Sequence, residues 1–176
     1  ANRISANLKA DLEIIDGLVL SGNFGYVRND ESYNYSENTE TYRTTTLGIV
    51  SGSMSNYENK LLETTLSYDK TIATNHNITL LAGYSFQEGM SNGFNAYGTD
   101  LMSNSIIPWN LGAANSVVLG NIGGYKDGDR LISFFGRATY NFGSKYYLTG
   151  TIRRDGSSRF GDNNKWGYFP SVSGGW

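Results

Sequence analysis

Cysteine is absent from all 176 residues, which removes disulfides, thiolate metal centres and cysteine nucleophiles together. Histidine occurs once, as His76, in an expected short turn where a solvated side chain is the plain reading, so neither a catalytic triad nor a His-based metal centre assembles from this sequence. Glu63 and Asp69 share a strand face but lie too far apart to work as a glycosidase acid and base pair. No cofactor, no metal and no enzymatic activity are therefore expected. Proline occurs only 2 times, and no window approaches the run of about 18 apolar residues that a membrane helix requires. An excess of charge of either sign is also lacking: 14 Lys and Arg face 16 Asp and Glu, leaving no basic field for phosphates, so nucleic acid is not an expected partner.

What the chain has instead is glycine, tyrosine and alternation, with 22 Gly and 13 Tyr. From about Arg3 to Ile14, Ile4, Ala6, Leu8, Ala10, Leu12 and Ile14 alternate with Ser5, Asn7, Lys9, Asp11 and Glu13, the mark of a strand with one apolar and one wet face. A turn at Ile15 to Gly17 leads to a second strand running to about Asn29. Asp30 to about Asn56 reads as a long polar loop, with one alternating patch at Thr44 to Val50. Tyr57 to Thr71 and Ile78 to Gln87 form the third and fourth strands around a turn at Ala73 to Asn77, and a second long connection covers Gly89 to Asp129. Leu131 to Phe142 is the fifth strand, with Ser133, Arg137, Thr139 and Asn141 on its polar face. Gly143 to Lys145 then turns the chain into a hairpin, Tyr146 to Asp155 and Trp166 to Trp176, with a polar tip between.

The connections alternate short and long, and the aromatics divide with them. Tyr68, Tyr140, Phe142 and Tyr146 lie near short turns, while Tyr26, Tyr84 and Phe86 approach the long connections. An up-and-down transmembrane barrel, with tight turns at one end, elaborated loops at the other and an aromatic girdle at each interface, explains this sorting. A soluble all-β fold stays open on pattern alone. The mean hydropathy of -0.39 does not decide between them, because a barrel strand needs only alternate residues to be apolar.

The hairpin also carries a resemblance. RDGSSRFG followed by NNKWGYFPSVSGGW resembles a signature of the SusC-like (SusC/RagA) TonB-dependent receptors, and Glu58 to Gly89 and Leu131 to Arg153 resemble the preceding barrel strands in the same order. The resemblance implies an antiparallel barrel of 22 strands, of which about seven are here. It also implies a plug driven through the TonB complex, a SusD-like surface lipoprotein as lid, a place in the outer-membrane lipid and a cargo of oligosaccharide or peptide, with oligosaccharide expected. The chain opens directly into a strand without a start Met, so residues 1–176 are expected to be part of the barrel domain, with plug and remaining strands elsewhere. The alternative is a secreted or surface all-β glycan-binding module or adhesin.

Arg153 and Asp155 share a parity that would turn them, with Arg137, into the barrel interior, where a structural ion-pair network is the plainer reading and ligand contact the sharper one. Tyr97, Trp109 and Tyr125 fall in the second long connection and are the candidate cargo contacts, since aromatic rings there stack on sugar faces or pack against a lid protein, the alternative being that they simply hold the loop together. The run from Asp155 to Asn164 has scattered oxygen donors without the spacing of a calcium loop.

Overall fold

The computed structural model describes residues 1–40, 47–104, 110–161 and 165–176. Its elements are β1 (Asn2–Ile15), β2 (Leu18–Glu37), β3 (Ile49–Ile72), β4 (His76–Leu101), β5 (Ala114–Ser116), β6 (Ile122–Phe142), β7 (Tyr146–Ser157) and β8 (Trp166–Gly175). Short 3-10 turns at Leu111–Ala113 and Leu119–Asn121 flank β5. The strands form one sheet in the order β1-β2-β3-β4-β6-β7-β8, with β5 paired to the end of β4. This is an antiparallel up-and-down β-barrel segment. No helix among the described residues is long and apolar enough to cross a membrane, which says nothing about crossing by strands.

The strands run further than alternation suggests. β2 continues to Glu37 and β3 begins at Ile49, so the expected loop at Asp30 to Asn56 shrinks to residues 38–48. β4 reaches Leu101 and β6 starts at Ile122, which removes most of the expected loop at Gly89 to Asp129. The reason is physical: alternation records a difference between the two faces, and a strand whose faces are both polar keeps its ladder without showing it. Thr44 to Thr46 of the expected alternating patch lie outside the described residues.

The chain divides into two compact units. One comprises Ala1–Ile4, Val27–Glu58 and Met90–Gly128, and it contains a small conventional core of Ile49, Val50, Ala96, Leu101 and Ala113. The other comprises Ser5–Tyr26, Asn59–Gly89 and Asp129–Trp176 and holds the short turns. Gly17, at φ 79, makes the first of these, and its carbonyl accepts from the Asp69 backbone N–H at 2.8 Å.

In this second unit the register settles which residues share a face. Phe134 pairs with Arg154 and Arg154 with Tyr168; Ala138 pairs with Gly150 and Gly150 with Val172. Even-numbered residues of β6, β7 and β8 therefore lie on one side of the sheet. That side is apolar and uncovered: Phe134, Leu148, Ile152 and Val172 are all exposed, Val172 at 80%. Leu8 on β1 and Leu62 and Leu66 on β3, also even-numbered, are exposed as well.

Candidate functional site

The odd-numbered face of β6 and β7 carries a closed polar network. Ser133 sits opposite Asp155, and Phe135 opposite Arg153. Arg153 therefore reaches three groups at once: its Nε donates to both carboxylate oxygens of Asp155 at 2.7 and 2.9 Å, and its Nη2 donates to Ser133 Oγ at 3.0 Å. Ser133 is 0% exposed, and this is the hydrogen bond that satisfies its hydroxyl. The guanidinium also stands 5.9 Å from the centre of the Phe135 ring. The outer end of that ring lies against Gly83, where an added Cβ would come within 2.2 Å of it. Arg153 and Asp155 thus meet as the alternation suggested, while Arg137 lies apart from them, exposed and opposite Thr151.

Tyr97 and Tyr125, expected in a loop, are on strands. Tyr97 is a half-buried residue of β4 and Tyr125 an exposed residue of β6. The Tyr125 ring lies over Gly93 of β4, within 2.5 Å of where a Cβ would stand, so a glycine makes the bed for the ring. Trp109 lies outside the described residues, as does Asp162 of the polar hairpin tip. His76 is not a solvated turn residue. It begins β4, its Nδ1 is 2.6 Å from the Tyr140 hydroxyl, and its ring packs 4.7 Å from that of Phe142.

The connection between β2 and β3 is tied down by a residue that no periodicity marks. Asp100, at φ 59, accepts from the Leu47 backbone N–H at 3.0 Å through Oδ1, and its own N–H donates to the Gly48 carbonyl at 3.2 Å. Leu101 N–H donates to the Leu47 carbonyl, and Asn104 Oδ1 accepts from Thr39 N–H, both at 2.8 Å. Beside this lashing is a cavity of about 230 Å³ lined by Asn34, Val50, Met54, Phe94, Ala96 and Leu111. Among the described residues no three His, Cys, Asp or Glu side chains gather as a metal site.

The face sorting, the strand order and the tied connections define an outer-membrane-type barrel wall, and comparison with known proteins gives it a family. No protein-family model matches the chain. TonB-dependent receptor P3 of Formosa agariphila is 36% identical over 185 residues, covering 100% of this chain and 17% of that receptor. TonB-dependent receptor SusC of Bacteroides thetaiotaomicron is 48% identical over 52 residues, 30% of this chain and 5% of SusC. Among solved structures, that of the RagAB peptide transporter superposes with a TM-score of 0.90 at 26% identity, covering 98% of this chain and 19% of that one. The RagAB peptide importer in its closed-closed state matches equally well, at a TM-score of 0.90. The chain spans less than a fifth of the length of these proteins. The relatives are TonB-dependent receptors. The chain belongs with them as a segment of the barrel, and within that class it is similar to SusC and to the RagAB structures.

Proposed function

We propose that residues 1–176 form part of the lipid-embedded wall of an outer-membrane importer, energised through TonB and capped by a SusD-like lipoprotein, with the plug and remaining strands elsewhere in the protein. The even-numbered face is the observation that supports this most. Leaving such side chains in water forfeits about 1.5 to 3 kcal/mol each, so the face calls for an apolar medium, and a bilayer supplies one. A secreted adhesin would have to cover the same face with protein.

About 9 to 11 tilted residues cross a bilayer. β3 and β4, at 24 and 26 residues, exceed that more than twofold, so much of each stands in water. Short turns of outer-membrane barrels face the periplasm, which assigns the connections at 38–48 and 102–121 to the cell exterior, where cargo and lid arrive. Tyr97, Tyr125 and Trp109 are then the cargo contacts, and Arg137, Arg153 and Asp155 face the lumen. The cargo is an oligosaccharide, read by ring stacking. Peptide is the second reading, supported by the similarity to a structure described as a peptide transporter. The work is transport rather than catalysis, in keeping with relatives that are receptors and importers.

Deletion of the intact receptor, complemented by wild type or by Tyr125→Ala, tests this by growth on oligosaccharides and on oligopeptides. Loss of growth on oligosaccharides alone, with weakened rescue by the variant, is expected. Loss on oligopeptides alone shifts the cargo to the second reading, and unimpaired growth on both contradicts import.

A further inference from the structure

Among the even-numbered residues of β6, β7 and β8 in this unit two are cations, Arg130, which is bonded to Glu88, and Arg154. Arg154 is even-numbered, between Phe134 on β6 and Tyr168 on β8 in the register. Its guanidinium carbon is 4.3 Å from the centre of the Trp166 ring and 5.2 Å from that of Tyr168. Its Nε is buried and meets no hydrogen-bond partner among the described residues. No described carboxylate pairs with it either; the neighbouring cations Arg153 and Arg130 are the ones bonded to Asp155 and Glu88.

Its position along the strand matters. Tyr146, in the aromatic cluster by the short turn, is eight residues earlier, about 26 Å along the strand and near 20 Å in height at the usual barrel tilt, close to the height of the apolar band of such barrels. The even-numbered residues between, Leu148, Gly150 and Ile152, are uncharged. At the level of Arg154 a second aromatic row crosses the sheet, with Tyr84 and Phe134 rings 5.3 Å apart and Phe134 and Trp166 rings 6.2 Å apart. Arg154 fills the place of β7 in that row.

Arg154 lines one cavity, and its ring partner Trp166 lines a second. The first, of about 400 Å³, runs toward the apolar band, lined by Ala82, Phe134, Gly136, Ile152, Arg154 and Tyr168. The other, of about 240 Å³, includes Arg130, Ser158, Lys165 and Trp166.

We propose that Arg154 with Trp166 and Tyr168 holds the phosphate of an anionic membrane lipid, whose acyl chain lies along the groove over Ala82 and Gly136. This rests on the apolar face being the lipid-facing one. The chemistry follows from the parts: a planar guanidinium binds phosphate through paired N–H donors, stacked rings hold its plane without competing for those donors, and girdle height is headgroup height. A snorkelling Arg would reach water past the girdle; here two rings hold it at the girdle.

The intact receptor is reconstituted in phosphatidylcholine vesicles containing phosphatidylglycerol, extracted in mild detergent and washed, and the phosphatidylglycerol retained per receptor is counted by mass spectrometry. Arg154→Gln is expected to lower retention about fivefold, the worth of one interfacial cation. Arg154→Lys, which keeps charge and loses the stacking plane, lowers it less, and Arg159→Gln, whose guanidinium bonds Asp129 instead, leaves it unchanged. Equal retention in wild type and Arg154→Gln overturns the proposal, as does displacement of the lipid by inorganic phosphate at the concentration where the two headgroups are matched. A bimane at Leu148→Cys, quenched by brominated acyl chains only if that face is in lipid, separates the outcomes: quenching with unchanged retention refutes the Arg154 site alone, and no quenching refutes the membrane reading beneath it.

Discussion

Replacing Arg153 by Ala should cost far more than its half-exposed position suggests. The substitution removes the two bonds to Asp155 and the one to Ser133. What it leaves behind matters more. The Ser133 hydroxyl, 0% exposed, loses its partner, at about 1 to 3 kcal/mol. The Asp155 carboxylate, its side chain 19% exposed, keeps a charge with no counter-ion, although water reaching the 44% exposed Arg153 position moderates that loss toward about 1 kcal/mol. A total of about 2 to 4 kcal/mol follows. Ser133→Ala should cost under about 1 kcal/mol, because Arg153 keeps Asp155 and can hydrate its freed N–H. Urea unfolding of the intact receptor in lipid vesicles, followed by tryptophan fluorescence, supplies the midpoints for a double-mutant cycle of Arg153→Ala with Asp155→Ala. A coupling of about 1 to 2 kcal/mol is expected, and additivity within about 0.3 kcal/mol would refute the claim that the two act as one unit.

Three other outcomes follow from the backbone. Gly17→Ala meets both a φ of 79 and a Cβ position 2.2 Å from the Asp69 carbonyl oxygen, so it should lower the same unfolding midpoint by about 1 to 3 kcal/mol, against a neutral Gly175→Ala. Gly93→Val should push the Tyr125 ring off its bed, reducing the protection of that ring from iodination in the intact receptor; unchanged labelling would deny the contact. Asp100→Ala removes the acceptor for Leu47 N–H and should raise the rate of external protease cleavage within residues 38–48 severalfold, while an unchanged rate would mean that the connection is held by something else.

How far the sequence reveals this fold depends on where a residue meets two different environments. β1 and β7 are legible residue by residue because one face is apolar and the other wet. The pattern fails in β2 after Asn29, in β3 before Tyr57 and in β4 after Gln87, where polar residues such as Glu31 and Ser32, Ser55 and Asn56, or Ser91 and Asn92 occupy both parities and the ladder alone continues the strand. Tyr97 reads as a loop residue for that reason, and Tyr125 does so because β6 begins in a glycine- and charge-rich stretch, Gly123 to Arg130, that shows no alternation. Arg153 and Asp155 were legible as a pair because neighbours two apart on one strand share a face. The beds of Gly83 under Phe135 and Gly93 under Tyr125 were not, since each joins residues tens of positions apart and depends on a register that only the pairing supplies. His76 shows the same limit, its partners Tyr140 and Phe142 arriving from β6.

The even-numbered face is expected to lie against lipid. Nitroxide labels placed one at a time from Leu148 to Ile152 in the intact receptor, reconstituted in bilayers, report it through relaxation by oxygen, which concentrates in lipid, and by a nickel chelate, which stays in water. Oxygen accessibility should peak at 148, 150 and 152 and fall at 149 and 151, a period of two. Oxygen peaks at 149 and 151, or nickel accessibility equal along the whole run, would contradict the account.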